Sequence, residues 1–246
     1  MLRRFRADLH VHTCLSPCGD LRMSPRKITD RASKQNVQII AICDHNTAEN
    51  AAAVMKAAES KAIIVLPGME VCSREEIHLL AVFEILEAAM DLQSELYDRM
   101  TGKNDPDAFG LQVVSNEMDE VMGFQDRLLI GAVDLTVEQI VAAIHRRGGL
   151  AIASHIDRES FSVVSQLGFI PGTLSFDALE LSCTIDDAEA RRRFAVYENS
   201  TFIRNSDAHD LDAIGTNTSE YLLERPTFPE IRLALQKKDG REVCGT

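Results

Sequence analysis

The stretch Asp8-Leu9-His10-Val11-His12-Thr13 decides how the amino-terminal part of this chain folds. Apolar and polar residues alternate through it, which is typical of an extended segment, and we predict a strand over residues 7–13. Side chains two residues apart in a strand point to the same side. His10 and His12 can therefore hold one cation between them, because neutral imidazole is a common metal ligand.

Apolar runs recur after this strand at intervals that indicate repeated strand–helix units. We predict further strands at residues 38–44, 63–69, 77–83, 150–155, 179–183 and 201–206. Several of these runs show little alternation, as expected for parallel strands that are buried on both faces. Helices are predicted between them: from Ser24 to about Gln35, over 47–60, after the capping box that begins at Thr136, and from Thr227 onward. The predicted fold class is α/β.

The stretch from about 84 to 135 departs from this rhythm. Its pattern is helical but is interrupted by Thr101-Gly102-Lys103-Asn104-Asp105-Pro106-Asp107. A free-standing domain would need more than ~50 residues of its own core. We therefore expect one domain over residues 1–246, with a helical insertion, or lid, at about 84–135.

Composition and charge restrict the classes of partner. The chain is 45% hydrophobic and 26% charged, so it can bury a core, and its formal net charge is −12. A charge of this sign repels a phosphate backbone unless basic groups are gathered locally or metal ions intervene, so we expect no duplex nucleic acid as a partner. No apolar run resembles a signal peptide or spans a membrane, so we expect no membrane contact, a cytoplasmic protein and reduced cysteines.

Six of the seven histidines lie within or at the ends of predicted strands. These are His10, His12, His45, His78, His155 and His209, with Asp44, Glu70 and Asp207 as acids at comparable positions. The carboxyl ends of the strands of a parallel barrel open on one face, where ligands distant in sequence would meet. Mixed imidazole and carboxylate ligands suit Zn, Mn or Fe, and the candidates exceed what one ion accepts. We therefore expect two or three divalent ions, and we interpret His145, at a predicted helix end, as structural.

The loop after the first predicted strand offers one more ligand. Cys14 and Cys18 look like half of a zinc knuckle, but no second cysteine pair follows at a suitable spacing. Either Cys18 or Asp20 could join the main cluster. We favour Asp20, because a hard oxygen ligand complements the neighbouring histidines.

Several blocks of the chain resemble the PHP family, named for its polymerase and histidinol phosphatase members. The blocks are Asp8-Leu9-His10-Val11-His12-Thr13, Asp44-His45-Asn46-Thr47, Pro67-Gly68-Met69-Glu70, Ile77-His78-Leu79-Leu80, Ser154-His155 and Asn205-Ser206-Asp207-Ala208-His209. They follow the family's order over most of the chain. The resemblance implies a distorted (β/α)7 TIM-like barrel with a trinuclear metal cluster at the carboxyl ends of the strands.

The resemblance also implies which residues hold each ion. His10, His12, Glu70 and Asp207 would hold the first ion; Glu70, His78 and His155 the second; and His45, His209 and a loop residue the third. Family members close to nucleotide phosphatases often read Ser-Asp-Gly in that loop. This chain reads Ser16-Pro17-Cys18-Gly19-Asp20, so its third site departs from the pattern.

Closely packed ions lower the pKa of a bridging water, so that hydroxide exists at neutral pH, and they neutralise charge on phosphoryl oxygens. The leading prediction is hydrolysis of a small phosphate ester, either a nucleotide or a sugar or amino-alcohol phosphate. Asp44 is predicted as a proton relay or as a residue that orients a ligand. Arg158 is a candidate phosphate clamp, with a solvated loop arginine as the alternative.

Two other functions fit the same residues. The cluster could hydrolyse an amide or ester carbonyl, or the chain could be a non-catalytic, metal-stabilised interaction module. The chain has no Trp and three Tyr, so no aromatic platform for stacking bases is evident, although a single Phe could suffice. The sequence therefore predicts a metal-dependent hydrolase without naming its substrate.

Overall fold

The computed structural model describes residues 1–244, in which strands and helices alternate along most of the chain. In chain order the elements are β1 (Arg3–Val11), α1 (Pro25–Lys34), β2 (Ile39–Ile42), α2 (Ala51–Ala58), β3 (Ile64–Cys72), β4 (His78–Val82), α3 (Leu86–Tyr97), α4 (Pro106–Phe109), β5 (Val113–Ser115), β6 (Val121–Phe124), α5 (Val137–Arg146), β7 (Leu150–Ala153), α6 (Val163–Leu167), β8 (Ala178–Leu181), α7 (Asp187–Arg193), β9 (Phe202–Arg204), β10 (Ser219–Leu223), α8 (Phe228–Leu235) and β11 (Glu242–Cys244). All seven strands predicted from the apolar runs are present.

The main sheet has the strand order β11-β10-β1-β2-β3-β4-β7-β8-β9. The seven strands from β1 to β9 in this order form a nearly closed barrel, and β10 and β11 extend the sheet beyond β1 as antiparallel strands. The segment after β9 returns to β1, where Val11 forms a parallel bridge with Ala208. The Asn205 side chain accepts a hydrogen bond of 2.7 Å from the backbone N–H of Leu9 at the same junction. Polar contacts thus close the seven-stranded barrel, and the predicted distorted TIM-like α/β fold is confirmed.

One strand of the barrel runs against the others. β4 pairs antiparallel with β3 and with β7, whereas the prediction assumed that the strand over 77–83 had the common direction. The chain reverses in a tight turn in which Glu76 has a left-handed backbone (φ 58°), and so short a connection cannot cross over to a parallel position. His78, at the amino end of β4, therefore lies at the same rim as the carboxyl ends of the other strands. The expectation that all ligands follow carboxyl ends is wrong for this residue.

Alternation along the strands creates two apolar cores. Ile39 and Ala41 of β2 belong to an inner cluster to which all seven barrel strands contribute. Ile40 and Ile42 belong to an outer cluster that includes residues of the surrounding helices. Both faces of these strands are buried, so most of their side chains are apolar. A polar side chain that points into the barrel therefore requires a hydrogen-bond or ionic partner.

The region 84–135 is only partly helical. After α3 and the short α4, the chain forms the antiparallel pair β5–β6, so the expectation of a helical insertion is wrong for residues 113–124. The backbone N–H of Val113 donates to the carbonyl of Cys14, which ties this hairpin to the loop after β1. No helix within residues 1–244 is both long enough and apolar enough to cross a membrane.

Candidate metal centre

The fold brings most of the predicted ligands together at one rim of the barrel. Their ligand atoms form three groups, each with all atoms within 4.8 Å of one another: His10, His12, Glu70 and Asp207; His12, His45 and His209; and His45, Glu70 and His78. The first group is the set that the family resemblance implied for the first ion. The groups share members, so ions held by them would be close neighbours.

Glu70 lies at the centre of the cluster. It is almost fully buried on β3, and its carboxylate lies 3.0 Å from His78 Nδ1, 3.2 Å from His45 Nδ1 and 3.3 Å from His155 Nε2. Burial alone would raise the pKa of this carboxyl group, but the surrounding imidazoles hold its pKa well below the usual value. Glu70 therefore provides a negative charge that several cations can share.

Hydrogen bonds at the far ring nitrogens orient His10 and His209. His10 Nδ1 donates to Glu180 at 3.1 Å, and His209 Nδ1 donates to the backbone carbonyl of Asp207 at 2.9 Å. Occupying Nδ1 with a proton leaves the Nε2 lone pair free for a metal ion. His10 Nε2 and His12 Nε2 face each other at 3.1 Å, a separation that suits two ligands of one cation.

The pKa of His12 keeps this imidazole in the form that binds metal. Burial and the neighbouring His209 lower its pKa to about 4, so the ring is neutral at neutral pH. For His10, burial acts in the same direction, but Asp207 and Glu180 raise the pKa well above the ordinary value. The two facing Nε2 atoms therefore share at most one proton in this arrangement, in addition to the Nδ1 proton of each ring, and a divalent cation would replace that shared proton.

Several buried polar atoms at this rim have no hydrogen-bond partner, as is expected where a metal ion binds. They include His45 Nδ1, His78 Nε2, His155 Nδ1 and Asp207 Oδ1, all at this rim. Leaving such an atom unpaired costs about 1–3 kcal/mol. Nitrogen and carboxylate oxygen donors together suit divalent Zn, Mn or Fe. His45 Nδ1 and Asp207 Oδ1 face the cluster, whereas the unpaired nitrogens of His78 and His155 lie on the ring side opposite the nitrogens that face Glu70. The residues present therefore fit a metal cluster, in which divalent ions would satisfy His45 Nδ1 and Asp207 Oδ1.

Asp44 is hydrogen-bonded to residues that neighbour the cluster. Its carboxylate accepts hydrogen bonds from the Thr13 backbone and hydroxyl groups and from the Ser16 hydroxyl, all at 2.7 Å. Since Ser16 donates its only proton to Asp44, its oxygen accepts the Nδ1 proton of His12 at 2.9 Å. This chain of hydrogen bonds directs the Nε2 lone pair of His12 to the cluster. Asp44 is thereby connected to His12 through the Ser16 hydroxyl.

Glu180 is a candidate site residue that the sequence did not point out. It is buried on β8, where its carboxylate accepts hydrogen bonds from His10 Nδ1, from the Asn205 side chain at 2.7 Å and from the His155 backbone at 2.9 Å. The signal was available, because Glu180 is the single acid in the apolar run Ala178–Leu181. A lone carboxylate inside a buried strand needs a partner.

Asp20, the predicted loop ligand, lies outside all three groups. Its carboxylate pairs with Arg22 at 2.7 Å, and this partner lowers the pKa of Asp20 to about 2. Cys18 is exposed and belongs to none of the groups either. His12 instead completes the third group with His45 and His209. His155 contacts Glu70 but is likewise not a member of a group, and His145 pairs with Asp177 away from the rim.

A cavity of about 200 Å³ opens onto the cluster. Its lining consists of His45, Glu70, His78, Ile130, His155, Arg158, Ser160, Phe161, Asp207 and His209. Arg158 follows β7, and its guanidinium lies 2.7 Å from the Asp207 carboxylate while a third of its side chain stays exposed. A positive group therefore stands beside the candidate ligands at the mouth of the cavity, where an anionic substrate could reach it.

The solved structures that are similar to this chain include an endonuclease and a protein assigned as a phosphoesterase. Endonuclease Q from Pyrococcus furiosus matches with a TM-score of 0.75 and 17% identity, over 98% of this chain and 58% of that one. A protein from Bifidobacterium adolescentis, assigned as a metal-dependent phosphoesterase, matches with a TM-score of 0.56 and 18% identity, over 82% of this chain and 87% of its own. Both likenesses concern the fold.

The comparison corrects the expectation about nucleic acid. A structure of endonuclease Q in complex with a 27-mer duplex, with an abasic lesion at the active site, has the same fold over 98% of this chain at 18% identity and a TM-score of 0.75. The prediction that net charge excludes duplex nucleic acid is therefore wrong. Total charge is a poor guide here, because local basic groups and bound cations decide the potential that a phosphate meets.

Sequence comparison identifies the family. The YqxK protein of Bacillus subtilis is 35% identical over 103 residues, which cover 39% of this chain and 26% of that protein, so the chain spans a minor part of this relative's length. The model of the PHP domain matches residues 8–159, more than half of the chain. This range contains Asp8, the His10 and His12 pair, Glu70 and Arg158. The chain therefore belongs to the PHP domain family and has the fold of its metal-dependent hydrolases.

Proposed function

We propose that this protein is a phosphoesterase that hydrolyses a small phosphate ester at the cluster around Glu70. The observation that carries the proposal is the position of Glu70 between the imidazoles of His10, His45 and His78, at 3.4, 3.2 and 3.0 Å. A buried carboxylate within reach of ligands on several sides can serve two cations at once. Neighbouring cations are the arrangement that phosphoryl transfer uses.

The proposed ligands of each ion are taken from the three groups of neighbouring ligand atoms. His10, His12, Glu70 and Asp207 would hold one ion; Glu70, His45 and His78, with His155 adjacent, a second; and His12, His45 and His209 a third. We expect two or three ions of Zn, Mn or Fe. Divalent ions at these positions would lower the pKa of water and neutralise charge on the phosphoryl oxygens.

Other side chains would bind the substrate and orient the metal ligands. Arg158 would bind phosphoryl oxygens, since its guanidinium is partly exposed in the cavity and can leave Asp207 for an incoming anion. Asp44 is proposed as a positioning residue, which acts through Ser16 on the ring of His12. Glu180 would orient His10 in the same way.

A phosphodiester in DNA is a second candidate substrate. It is favoured by the likeness to endonuclease Q, a lesion-specific endonuclease whose fold covers 98% of this chain. This chain matches 58% of endonuclease Q, so parts of that protein have no counterpart in the match. Hydrolysis of an amide or ester carbonyl and a non-catalytic, metal-stabilised module are the other outcomes that the experiment must separate.

The test is a substrate panel with the full chain loaded with Mn²⁺, Zn²⁺ or Fe²⁺. The panel contains nucleoside and sugar monophosphates, a duplex oligonucleotide with and without an abasic site, and carboxylic ester and amide substrates. We expect release of phosphate from monoesters by the wild type and none by Glu70→Gln. Turnover confined to the oligonucleotide would favour the second candidate. Turnover confined to carbonyl substrates, or none by a metal-loaded protein, would refute the proposal.

A further inference from the structure

We propose that Phe161 contacts a planar ring in the ester substituent of the phosphate, either an aryl group or the base of a nucleoside, and gives the site a preference for such esters. This inference rests on the proposed phosphoesterase function and specifies its substrate class. Phe161 is not part of any motif that the sequence analysis identified.

The composition of the cavity wall is the first observation. Most of its lining is charged or polar, and Phe161 and Ile130 are its two apolar side chains. Phe161 is 40% exposed although it is bulky and apolar. Its ring stacks on the imidazole of His78, with centroids 4.5 Å apart and planes 22° apart. One face thus covers a candidate metal ligand, and the exposed part of the ring is available to a molecule in the cavity.

The backbone at this position is the second observation. Phe161 has φ 58°, the left-handed region that a bulky residue rarely adopts and that costs on the order of 1–3 kcal/mol. Hydrogen bonds fix the loop on both sides: the Phe161 carbonyl accepts from the His78 backbone at 2.8 Å, and the Ser162 hydroxyl donates to the Arg158 carbonyl at 2.8 Å. Glycine would fit this backbone more easily, yet the chain places an exposed aromatic ring here.

The third observation is the proximity of Phe161 to the anion-binding group. Arg158 and Phe161 are three residues apart in the same fixed loop, and both line the cavity. A phosphoryl group at Arg158 would therefore have its ester substituent within reach of Phe161. A flat ring offers offset stacking, which favours a planar substituent over an aliphatic one.

The experiment compares Phe161→Leu with the wild type, both loaded with Mn²⁺. The substrates are 4-nitrophenyl phosphate, a nucleoside monophosphate and glycerol 1-phosphate. We expect kcat/KM to fall about tenfold for 4-nitrophenyl phosphate and for the nucleoside monophosphate, whose base is planar, and less than about twofold for glycerol phosphate. Differences in leaving-group reactivity cancel, because each substrate is compared between variant and wild type. Phe169→Leu is the matched control, since Phe169 is 60% exposed and does not line the cavity.

Two further measurements distinguish contact with substrate from a structural role. Metal content and the inhibition constant of inorganic phosphate should be unchanged in Phe161→Leu; loss of metal would show that Phe161 acts only by holding His78, and would overturn the proposal. Phe161→Gly should show the same loss of aromatic preference without loss of thermal stability, because glycine relieves the left-handed backbone.

Equal losses of kcat/KM for aromatic and aliphatic esters would also overturn the proposal. If the wild type turns over no phosphate ester, the proposed function fails separately. The stacking contact is then tested by calorimetric binding of 4-nitrophenyl phosphate and inorganic phosphate to the metal-loaded protein. An affinity ratio that is the same in wild type and Phe161→Leu would refute it.

Discussion

Replacing Glu180 by glutamine tests whether an orienting carboxylate decides metal affinity. One oxygen of Glu180 accepts from Asn205 Nδ2 at 2.7 Å and the other from the His155 backbone at 2.9 Å, while His10 Nδ1 lies 3.1 and 3.2 Å from the two oxygens. An amide of the same shape keeps one oxygen and turns an NH2 group towards donors. At least one buried donor loses its acceptor, whichever way the amide is placed.

The expected magnitude follows from these contacts. Loss of a partner behind a metal-ligating histidine lowers metal affinity by about 10–100-fold, which corresponds to about 1.4–2.7 kcal/mol. The unpaired donor destabilises the fold by about 1–3 kcal/mol in addition. Glu180→Gln should therefore remain folded and bind metal more weakly at the group that contains His10.

The assay is titration of chelator-treated protein with Mn²⁺ or Zn²⁺ against a competing indicator, with thermal melting as the check of folding. Glu59→Gln, at an exposed position after α2, is the matched control for the loss of one negative charge. Wild-type affinity at every site in folded Glu180→Gln protein would refute the reasoning that Glu180 holds His10 as a ligand.

Three further predictions concern the cluster. Removal of metal should lower the melting temperature, because ions that bind only the folded state stabilise it by about 2.7 kcal/mol at 100 times Kd; an unchanged melting curve after verified chelation would contradict a shared cluster. Glu70→Gln should abolish phosphoesterase activity and reduce the metal content. Arg158→Ala should keep its metal and lose about 10–100-fold in kcat/KM, which corresponds to about 1.4–2.7 kcal/mol. Near wild-type turnover by Glu70→Gln would refute the proposal that Glu70 is shared by two ions. Elemental analysis should find full metal content in Asp20→Asn, whose carboxylate binds Arg22, and less metal in His209→Ala; the reverse result would restore the loop ligand.

Local patterns in the sequence determined the strands and the positions of the ligands on them. The alternation around His10 and His12 is a property of adjacent residues, and an extended chain places both rings on one side in any fold. An apolar run such as residues 38–44 is also a local property, and it indicates a strand that is buried on both faces. The capping box at Thr136 and Gln139, observed at the start of α5, depends on a spacing of three residues and on no distant contact.

Tertiary structure alone decided how distant polar groups pair. The reversed direction of β4 depends on which strand its backbone groups meet, and it moves His78 to the rim from the amino end of a strand. Asp20 was a plausible ligand by composition, but Arg22 takes its carboxylate in the folded chain. Glu180 and His10 are 170 residues apart and meet only when the barrel closes. A sequence pattern shows that a polar residue is buried, and only the fold shows which partner offsets the cost of removing it from water.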